Sequence, residues 1–257
     1  MNYEQDLELA LELAKAADAI SLNRFRALDL NVETKPDRSP VTDADKSVEL
    51  AIKEILKAKR PKDAIVGEEF GTEGKATRKW IIDPIDGTAN FMRGVPIWAT
   101  LIALSIDGHP VVSVVSAPAL GRTWWAAPGT AKTKDIDGQT RDLKVSNIED
   151  LEHASLSYNN LQLWDSEGYL DNLIKFSRKI WRTRAFGDFY SYMLLAEGSV
   201  DIVAEHDLKL YDIAALVPIV EQAGGRFSDL NGALTEDSSS VLATNGKLHE
   251  LTISELT

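Results

Sequence analysis

The sequence predicts a mixed α/β protein, with an α+β first half and an α/β second half. Two segments of helical periodicity open the chain, and a series of apolar, strand-like runs follows them. Past residue 150, short apolar runs alternate with helical segments, which is the pattern of strand–helix units. The length of 257 residues allows one large domain or two fused halves. We expect halves of residues 1–140 and 141–257, divided within the polar, glycine-containing stretch 128–142.

The two opening helices are predicted from the spacing of their apolar residues. No Gly or Pro interrupts residues 3–27, whose helical spacing is carried by Leu9, Leu13, Ala16, Ala17 and Ile20. Pro36 and Pro40 indicate a loop after this helix. A second helix is expected to begin near Thr42, with one apolar face formed by Val48, Ala51, Ile52 and Ile55.

The strands of the first half are predicted from apolar runs bounded by turn residues, at 64–66, 80–82, 97–106, 111–115 and 124–125. Pro84 is expected to stop the run at 80–82, because proline cannot donate a hydrogen bond within a sheet. Asp107-Gly108 is typical of a turn between the two longest runs.

The second half is predicted to alternate between strands and helices. The expected strands are residues 154–157, 181–185, 200–204 and 241–244. The expected helices are residues 168–178, 188–197 and 211–223, with one more short helix at the end of the chain. Gly224-Gly225 is typical of a helix end, because glycine adopts the left-handed conformation that closes a helix.

The composition excludes several classes of protein. With 28 Lys and Arg against 40 Asp and Glu, the net charge of −12 disfavours a nucleic-acid binder. The absence of cysteine excludes disulfides, thiol nucleophiles and cysteine-ligated zinc. No apolar run approaches the roughly 20 residues of a membrane-spanning helix. Residues 1–12 lack the basic and apolar regions of a signal peptide, so we expect a cytoplasmic protein.

The most informative motif is Asp83-Pro84-Ile85-Asp86-Gly87-Thr88, which follows a buried strand. A strand that ends in such a turn can direct both carboxylates at one point. Repulsion between close carboxylates is costly, and a divalent cation removes that cost. Carboxylate oxygens suit Mg²⁺, which usually keeps several waters and a substrate phosphate. The structural alternative is an Asp-Pro turn followed by an Asp-Gly turn.

Two further acidic motifs accompany the first. Glu68 and Glu69 follow another apolar strand, and Asp212 lies at the expected start of a helix. Taken alone, the two glutamates are interpreted as solvated loop charges, and Asp212 as a charge favoured by the helix dipole. The presence of all three motifs in this order favours a shared metal site.

This combination resembles the inositol monophosphatase superfamily of Mg²⁺-dependent, lithium-sensitive phosphomonoesterases. The resemblance covers essentially the whole chain and rests on residues 39–45, 67–69, 80–88 and 211–225. It departs at Tyr211, where many relatives have Trp, and at Gln222. It implies a layered α-β-α-β-α fold with the site between the two halves, the first of which would bind metal and phosphate. Family members are commonly homodimers, and Trp164, Trp181 and the aromatic run near Phe189 are candidates for the interface.

The resemblance also implies two or three Mg²⁺ ions per active site. A first ion would be held by Glu68, Asp83 and the carbonyl of Ile85, and a weaker third ion would lie near Glu68. A second ion would be held by Asp83, Asp86 and Asp212.

Roles toward phosphate and water are implied in the same way. Asp86, Gly87 and Thr88 would bind the phosphate, and Asp45 and Thr88 would orient the attacking water, with Glu68 completing the catalytic group. For Asp45 the structural alternative is strong, because Thr42-x-x-Asp45 ahead of an apolar helix face is a capping-box pattern. The two roles are compatible, since a residue at the start of a helix is also well fixed.

The substrate is predicted from residues of the second half. Arg184, Asp188 and the aromatic residues that follow resemble the histidinol-phosphate phosphatase branch of the superfamily, and Glu205 matches a position that contacts the organic part of the substrate. Asp188 and Glu205 suit a cationic substrate through charge-assisted hydrogen bonds, and Asp212 is included in the same substrate site. Their structural alternatives are a helix N-cap for Asp188 and a surface charge at a strand end for Glu205.

The expected activity is hydrolysis of histidinol phosphate, a small-molecule phosphate ester, to histidinol and phosphate by metal-activated water, in histidine biosynthesis. One alternative is an inositol monophosphatase, or a broad sugar-phosphate or nucleotide phosphatase of the same fold. A more remote alternative is a non-catalytic metal-binding regulator. No nucleic-acid or membrane partner is expected.

Overall fold

Fifteen β-strands and nine α-helices form the part of the chain that a computed structural model describes, residues 3–36 and 38–257. The strands are β1 (Val32–Thr34), β2 (Pro40–Thr42), β3 (Ala64–Gly67), β4 (Gly71–Glu73), β5 (Arg78–Asp86), β6 (Ala99–Ile106), β7 (His109–Ala117), β8 (Arg122–Ala127), β9 (Thr130–Lys134), β10 (Thr140–Asp142), β11 (Ser155–Tyr158), β12 (Arg182–Arg184), β13 (Ile202–His206), β14 (Arg226–Ser228) and β15 (Ser240–Thr244). The helices are α1 (Tyr3–Arg24), α2 (Asp43–Lys59), α3 (Thr88–Met92), α4 (Leu161–Ser166), α5 (Leu170–Ser177), α6 (Asp188–Ala196), α7 (Leu210–Ile213), α8 (Leu216–Gln222) and α9 (His249–Leu256).

The first half is built on an eight-stranded sheet in the order β10-β9-β8-β7-β6-β5-β3-β4. Its neighbouring strands are antiparallel except for β3 and β5, which run parallel. Helices α1 and α2 cover one face with a core that includes Leu13, Ile52 and Trp80. Asp107 and Gly108 form the predicted β6–β7 turn, both with the positive φ that a two-residue hairpin requires.

The second half is built on a five-stranded sheet in the order β12-β11-β13-β15-β14. Helices α6 and α8 lie between the two sheets, in the largest apolar cluster. Helices α4, α5 and α9 cover the outer face of the second sheet with a core that includes Trp164 and Phe176. The layers therefore follow the order α-β-α-β-α, and the expected fold is confirmed.

Two predicted elements are wrong in their extent. Strand β5 does not stop at Pro84 but continues to Asp86, because a bulge accommodates the proline without loss of the strand. The helix expected at 211–223 is two helices, α7 and α8. Pro218 has no N–H to bond the Ala214 carbonyl, so a continuous helix is interrupted there and Pro218 lies in the first turn of a new one.

The stretch 128–142, interpreted from its polarity as a boundary, contains the strand β9 and the edge strand β10. In β9, Ala131 and Thr133 are buried while their neighbours are more exposed, which is the alternation of a half-buried strand. The division of the chain at residues 140 and 141 stays a prediction. Helix α4 and the short strands β1, β2, β4 and β14 were not predicted, since segments of three to six residues carry too few apolar repeats.

The aromatic candidates for an interface between subunits differ in exposure. Trp164 and Phe189 are buried inside the chain, with exposed fractions of 0% and 1%, so their assignment to a surface is wrong. Trp181 remains 66% exposed beside the edge strand β12. Among the helices of the described residues, none has the length and apolar character that crossing a membrane requires.

Candidate active site

The three acidic motifs meet at one edge of the eight-stranded sheet. Gly67, the last residue of β3, pairs with Ile82 of the parallel strand β5, so the carboxyl ends of both strands lie at the same edge. Glu68 follows β3, and Asp83 and Asp86 end β5. Helix α7 packs against β5 and brings Asp212 to the same place.

A bulge in β5 places the Asp83 and Asp86 side chains on one face of the sheet. In a regular strand, residues three apart point to opposite faces. Here Asp83 pairs with Leu101 and Asp86 with Ala99, so three steps along β5 match two steps along β6. The Thr100 hydroxyl donates to the Pro84 carbonyl at 2.8 Å and holds the bulge. Both carboxylates therefore face the same site.

Asp83, Asp86 and Asp212 form a compact carboxylate cluster. Each offers one oxygen, and these oxygens all lie within 4.8 Å of one another. Burial, together with Glu68 and Asp86, raises the pKa of Asp83 well above its usual range. Burial, together with Asp188 and Asp212, does the same to the pKa of Asp86, and burial raises the pKa of Asp212 to about 7. Carboxylates this close disfavour one another's ionised form unless a cation is present.

This donor set fits a hard divalent cation. Carboxylate oxygens are the ligands that Mg²⁺ prefers, and it typically uses few protein ligands with waters and a substrate phosphate. The predicted carbonyl ligand, Ile85 O, lies beside the cluster and accepts a hydrogen bond from the Thr88 hydroxyl at 2.9 Å. A carbonyl oxygen has a second lone pair, so that bond leaves the oxygen able to ligate a cation.

Glu68 lies beside the cluster but outside the three residues whose oxygens converge. Lys35 places its Nζ 2.7 Å from Glu68 Oε1 and 2.7 Å from Glu69 Oε1. Burial by itself lowers the pKa of Lys35, but the bonds to Glu68 and Glu69 outweigh it and raise that pKa above its usual value. Sequence reasoning missed Lys35, since nothing in its local pattern marks it as a partner of residues 33 and 34 positions away.

The turn that carries Glu68 is held by the buried Glu49 of α2. Its carboxylate accepts from the backbone N–H groups of Glu69 and Phe70 at 2.7 and 3.1 Å. Gly67 makes this approach possible, because a Cβ there would lie 1.9 Å from Glu49 Oε1. Glu49 was also missed, and Gly67 was the one local signal of a close contact.

Asp45 combines the capping role with a contact to Thr88. Thr42 caps α2 and Asp45 closes the capping box, with its Oδ2 accepting from the Thr42 N–H at 2.8 Å. Its Oδ1 accepts from the Thr88 hydroxyl at 3.1 Å. Burial raises the pKa of Asp45 above its usual value. The alternative derived from sequence is therefore confirmed as a local structure, and it also fixes Asp45 beside the cluster.

Gly87 adopts a left-handed conformation at the start of α3, with φ of 82°. A Cβ at this position would approach Asp188 Oδ2 and the Ile97 carbonyl to 3.0 Å. Asn90 donates to the same two oxygens at 3.0 and 2.9 Å and so joins the halves of the site. Asp188 itself has φ of 48° at the first turn of α6, where the Phe189 N–H donates to Asp86 Oδ2 at 2.7 Å.

A cavity of about 220 Å³ opens from Asp86 and Asp212 into the second half. Asp188 and Glu205 line it, and Glu205 is only 2% exposed. Glu205 Oε2 accepts from the Tyr192 hydroxyl at 2.9 Å, and burial raises the pKa of Glu205 to about 8. Burial also raises the pKa of Asp188. The Glu205 carboxyl is therefore an interior group, and its interpretation as a surface charge is wrong.

The chain that forms this site is similar to known proteins over nearly its whole length. The model of the inositol monophosphatase family matches residues 2–257. The chain belongs to the inositol monophosphatase family. Histidinol-phosphatases of Streptomyces coelicolor and Mycobacterium tuberculosis are each 50% identical to it, over 97% and 98% of this chain and 96% and 97% of theirs. The solved structure of an inositol monophosphatase from Zymomonas mobilis is 37% identical, with a TM-score of 0.84 over 100% of this chain and 99% of that one.

Among the predicted residues of this family member, Arg184 makes no hydrogen bond or ion pair with the others in the part of the chain that the structure describes. It ends the edge strand β12 and is exposed, and its Nη1 donates to the Thr183 carbonyl at 2.7 Å. It is absent from the described residues that line the cavity. The structure brings together all the other predicted residues, which are Asp45, Glu68, Asp83, Ile85, Asp86, Gly87, Thr88, Asp188, Glu205 and Asp212. Their individual roles stay predictions.

Proposed function

We propose that this protein is a Mg²⁺-dependent phosphomonoesterase that hydrolyses histidinol phosphate to histidinol and phosphate, a step of histidine biosynthesis. The observation that carries the proposal is the cavity that begins at Asp86 and Asp212 and continues past Asp188 to Glu205. One end suits a phosphate held through metal, and the acidic wall suits an amine. Histidinol phosphate has this distribution of charge. The names of the two relatives at 50% identity support the same substrate.

The metal site is proposed to use the carboxylate cluster, together with Glu68 and the Ile85 carbonyl, for two or three Mg²⁺ ions. Bound Mg²⁺ offsets the charge on the phosphoryl oxygens and lowers the pKa of coordinated water. The chain contributes rigid ligand placement: Asp83 Oδ1 accepts from the Ile85 N–H at 3.0 Å, so this side chain is fixed by its own bulge.

Asp45 and Thr88 are proposed to orient the attacking water. The Thr88 hydroxyl has a single proton, and both acceptors within reach, Asp45 Oδ1 and Ile85 O, are at 3.1 and 2.9 Å. A hydroxyl whose proton is directed at these acceptors presents its lone pairs elsewhere, where a water can donate to it. The backbone N–H groups of Gly87 and Thr88 lie at the start of α3 and are proposed to donate to the phosphate.

Asp188 and Glu205 are proposed to bind the ammonium group of the substrate. Asp188 Oδ2 is held by Asn90, and Glu205 is held by Tyr192, so each keeps one oxygen for a ligand. A buried carboxyl gains most from a cationic partner, because the partner restores the charged form that burial disfavours. A substrate with only hydroxyl groups would not offset the free-energy cost of burying these carboxylates.

The remaining features follow the resemblance and are proposed with it. We infer that the protein acts in the cytoplasm as a homodimer, is inhibited by Li⁺ and has no nucleic-acid partner. Trp181 is the aromatic candidate that stays on the surface, beside an edge strand.

The test is phosphate release from four substrates, with Mg²⁺ and with a chelator in its place. The substrates are histidinol phosphate, inositol 1-phosphate, fructose 1,6-bisphosphate and 3′-phosphoadenosine 5′-phosphate. We expect the highest kcat/KM for histidinol phosphate, and no turnover without Mg²⁺. A preference for another ester would support a sugar-phosphate or nucleotide phosphatase of the same fold. No release from any of them would favour a non-catalytic regulator.

A further inference from the structure

The substrate cavity carries polar atoms that the proposed chemistry does not use. Among the described residues that line it, three have a buried side-chain atom without a hydrogen-bond partner: Glu205 Oε1, Asn159 Oδ1 and His206 Nε2. Glu205 Oε1 is accounted for by the proposed ammonium contact. Asn159 and His206 are not, and a buried polar atom without a partner costs free energy unless a ligand satisfies it.

The orientation of the Asn159 side-chain amide follows from the hydrogen bond that it donates. Asn159 follows β11, and its Nδ2 donates to the His206 carbonyl at 2.7 Å. Because only the NH₂ end can donate to a carbonyl, this bond determines which end of the amide is the oxygen. Asn159 Oδ1 is therefore an acceptor held in a fixed position and without a partner among the described residues.

His206 is held as a neutral ring between two aromatic side chains. Its ring lies edge-on to Trp164 with centroids 4.6 Å apart, and it stacks on Tyr169 with centroids 5.3 Å apart. His206 is 3% exposed, and burial lowers its pKa. The charges that act on the pKa of His206 are Glu167 and Asp229, not the carboxylates of the cluster. Asn159 and His206 both line the cavity, Asn159 directly after β11 and His206 at the end of β13.

An azole ring is the ligand that complements this pair. A neutral azole carries one N–H donor and one acceptor nitrogen on a flat apolar body. Asn159 Oδ1 is an acceptor, and a neutral histidine ring nitrogen can donate or accept. We propose that Asn159 and His206 form the subsite for the nitrogen-bearing ring of the substrate, with Asn159 Oδ1 accepting the ring N–H. This inference rests on the proposed function, because it needs a substrate that has such a ring.

The test compares substrates with and without ring nitrogens. Wild type and Asn159→Ala are assayed with histidinol phosphate and with phenylalaninol phosphate, which keeps the ammonium and phosphate but has a benzene ring. For histidinol phosphate we expect Asn159→Ala to raise KM about tenfold and change kcat less than about threefold. For phenylalaninol phosphate we expect the two enzymes to agree within about twofold in KM. Asn172→Ala is the matched control, since Asn172 Nδ2 also donates to a backbone carbonyl, that of Leu256, in the outer layer.

The outcomes separate this inference from the proposed function. If wild type prefers histidinol phosphate but Asn159→Ala raises KM equally for both amines, the ring subsite is wrong and the phosphatase assignment stands. If wild type shows no preference for histidinol phosphate over inositol 1-phosphate, the proposed function is wrong, and so is the ring subsite that rests on it.

A ligand-side measurement covers the case in which Asn159→Ala does not fold. Histidinol phosphate methylated on one or the other ring nitrogen is assayed with the wild-type enzyme. We expect both isomers to lose about tenfold in kcat/KM, because a neutral azole has a single N–H and methylation of either ring nitrogen removes it. Activity of either isomer equal to that of the parent compound would overturn the inference.

Discussion

The catalytic edge of the first sheet and the substrate cavity of the second half are both acidic, but their polar atoms are held differently. At the catalytic edge four carboxylates accept from a main-chain N–H, namely Asp45 from Thr42, Asp83 from Ile85, Asp86 from Phe189 and Asp212 from Lys209, while Glu68 accepts from the Lys35 side chain. In the cavity, Glu205 and Asp188 are held by the side chains of Tyr192 and Asn90. Hydrogen bonds from main-chain N–H groups fix the carboxylates whatever the neighbouring side chains are. Hydrogen bonds from side chains can be removed by substitution, so the specificity of that site can change.

This difference suggests a division of labour between the two regions. Metal and phosphate chemistry needs the same geometry for every ester, so rigid main-chain anchoring suits it. Recognition of one organic group needs free donors and acceptors, and the cavity keeps them at Glu205 Oε1, Asn159 Oδ1 and His206 Nε2. Substitutions at the catalytic edge should change turnover for all substrates, and substitutions in the cavity should change the choice among them.

Asp83→Asn is expected to have the largest effect. Asn keeps the acceptor for the Ile85 N–H but removes a metal-binding charge, so kcat should fall about 10³-fold for every ester. Since the variant also removes repulsion among buried carboxylates, the Tm without Mg²⁺ should rise by about 2–4 °C. Turnover and thermal denaturation in a chelator check the two effects. Activity within about tenfold of wild type, or a lower Tm, would contradict the rigid metal-site interpretation.

Asp45→Asn separates the catalytic role of this residue from its capping role. We expect turnover to fall about 10²-fold with thermal stability nearly unchanged, because the amide oxygen can still accept from the Thr42 N–H. Thr42→Ala is the matched control: it removes the cap and should cost about 1 kcal/mol of stability while affecting turnover much less. Equal losses of folding and activity in Asp45→Asn would mean that Asp45 is only structural.

Asp188→Asn tests the substrate cavity. Asn tolerates the positive φ at this position and keeps the shape of the side chain, so only the charge is lost. The KM for histidinol phosphate should rise about 10–30-fold, in keeping with a charge-assisted hydrogen bond. The KM for inositol 1-phosphate should change less than about threefold, since that substrate has no cation to lose a partner. Equal increases for both substrates would remove Asp188 from recognition of the ammonium group.

The titrations of Asp18 and His249, both outside the site, change stability in opposite directions as pH changes. They give the smallest expected effect. Burial raises the pKa of Asp18 to about 6 in the first half, and burial lowers the pKa of His249 to about 4 in the second. In the folded protein Asp18 keeps its proton up to a higher pH than in the unfolded chain. Its contribution to stability is therefore lost as pH rises from about 4 to about 6. Folded His249 resists protonation, so its contribution is lost as pH falls from 6.5 to about 4.

Between pH 4 and 6 these two contributions nearly cancel each other and together leave about 1 kcal/mol. Relative to wild type, Asp18→Asn should make stability fall more steeply on acidification, because the contribution that opposes the His249 effect is removed. Chemical denaturation at several pH values measures this, and the unchanged wild-type profile in Asp18→Asn would contradict the assignment. Burial of Asp18 Oδ1 without a partner in the described structure supports it independently.

Much of the site could be predicted because its residues belong to contiguous motifs. Glu68 follows a strand, Asp83 and Asp86 end another, and Asp212 begins a helix, so local pattern and resemblance were sufficient to name them. Lys35 and Glu49 could not be named, because they act through contacts with residues about 20 to 34 positions away. Asn159 and His206 were missed for a different reason: what marks them is a buried atom without a partner, and burial depends on packing.

The resemblance to a known family implied the five-layer fold. The sequence by itself determined the mixed α/β class, the order of the acidic motifs and the exclusion of thiol chemistry. These follow from periodicity, composition and residue identity, which are local properties of a chain. Only the tertiary structure decided that β5 runs through Pro84 with a bulge and thereby turns Asp83 and Asp86 to one face. It also decided that Glu205 is interior and that Trp164 and Phe189 are core residues. Strand register and burial are set by the partner element, and the partner is chosen by the whole chain.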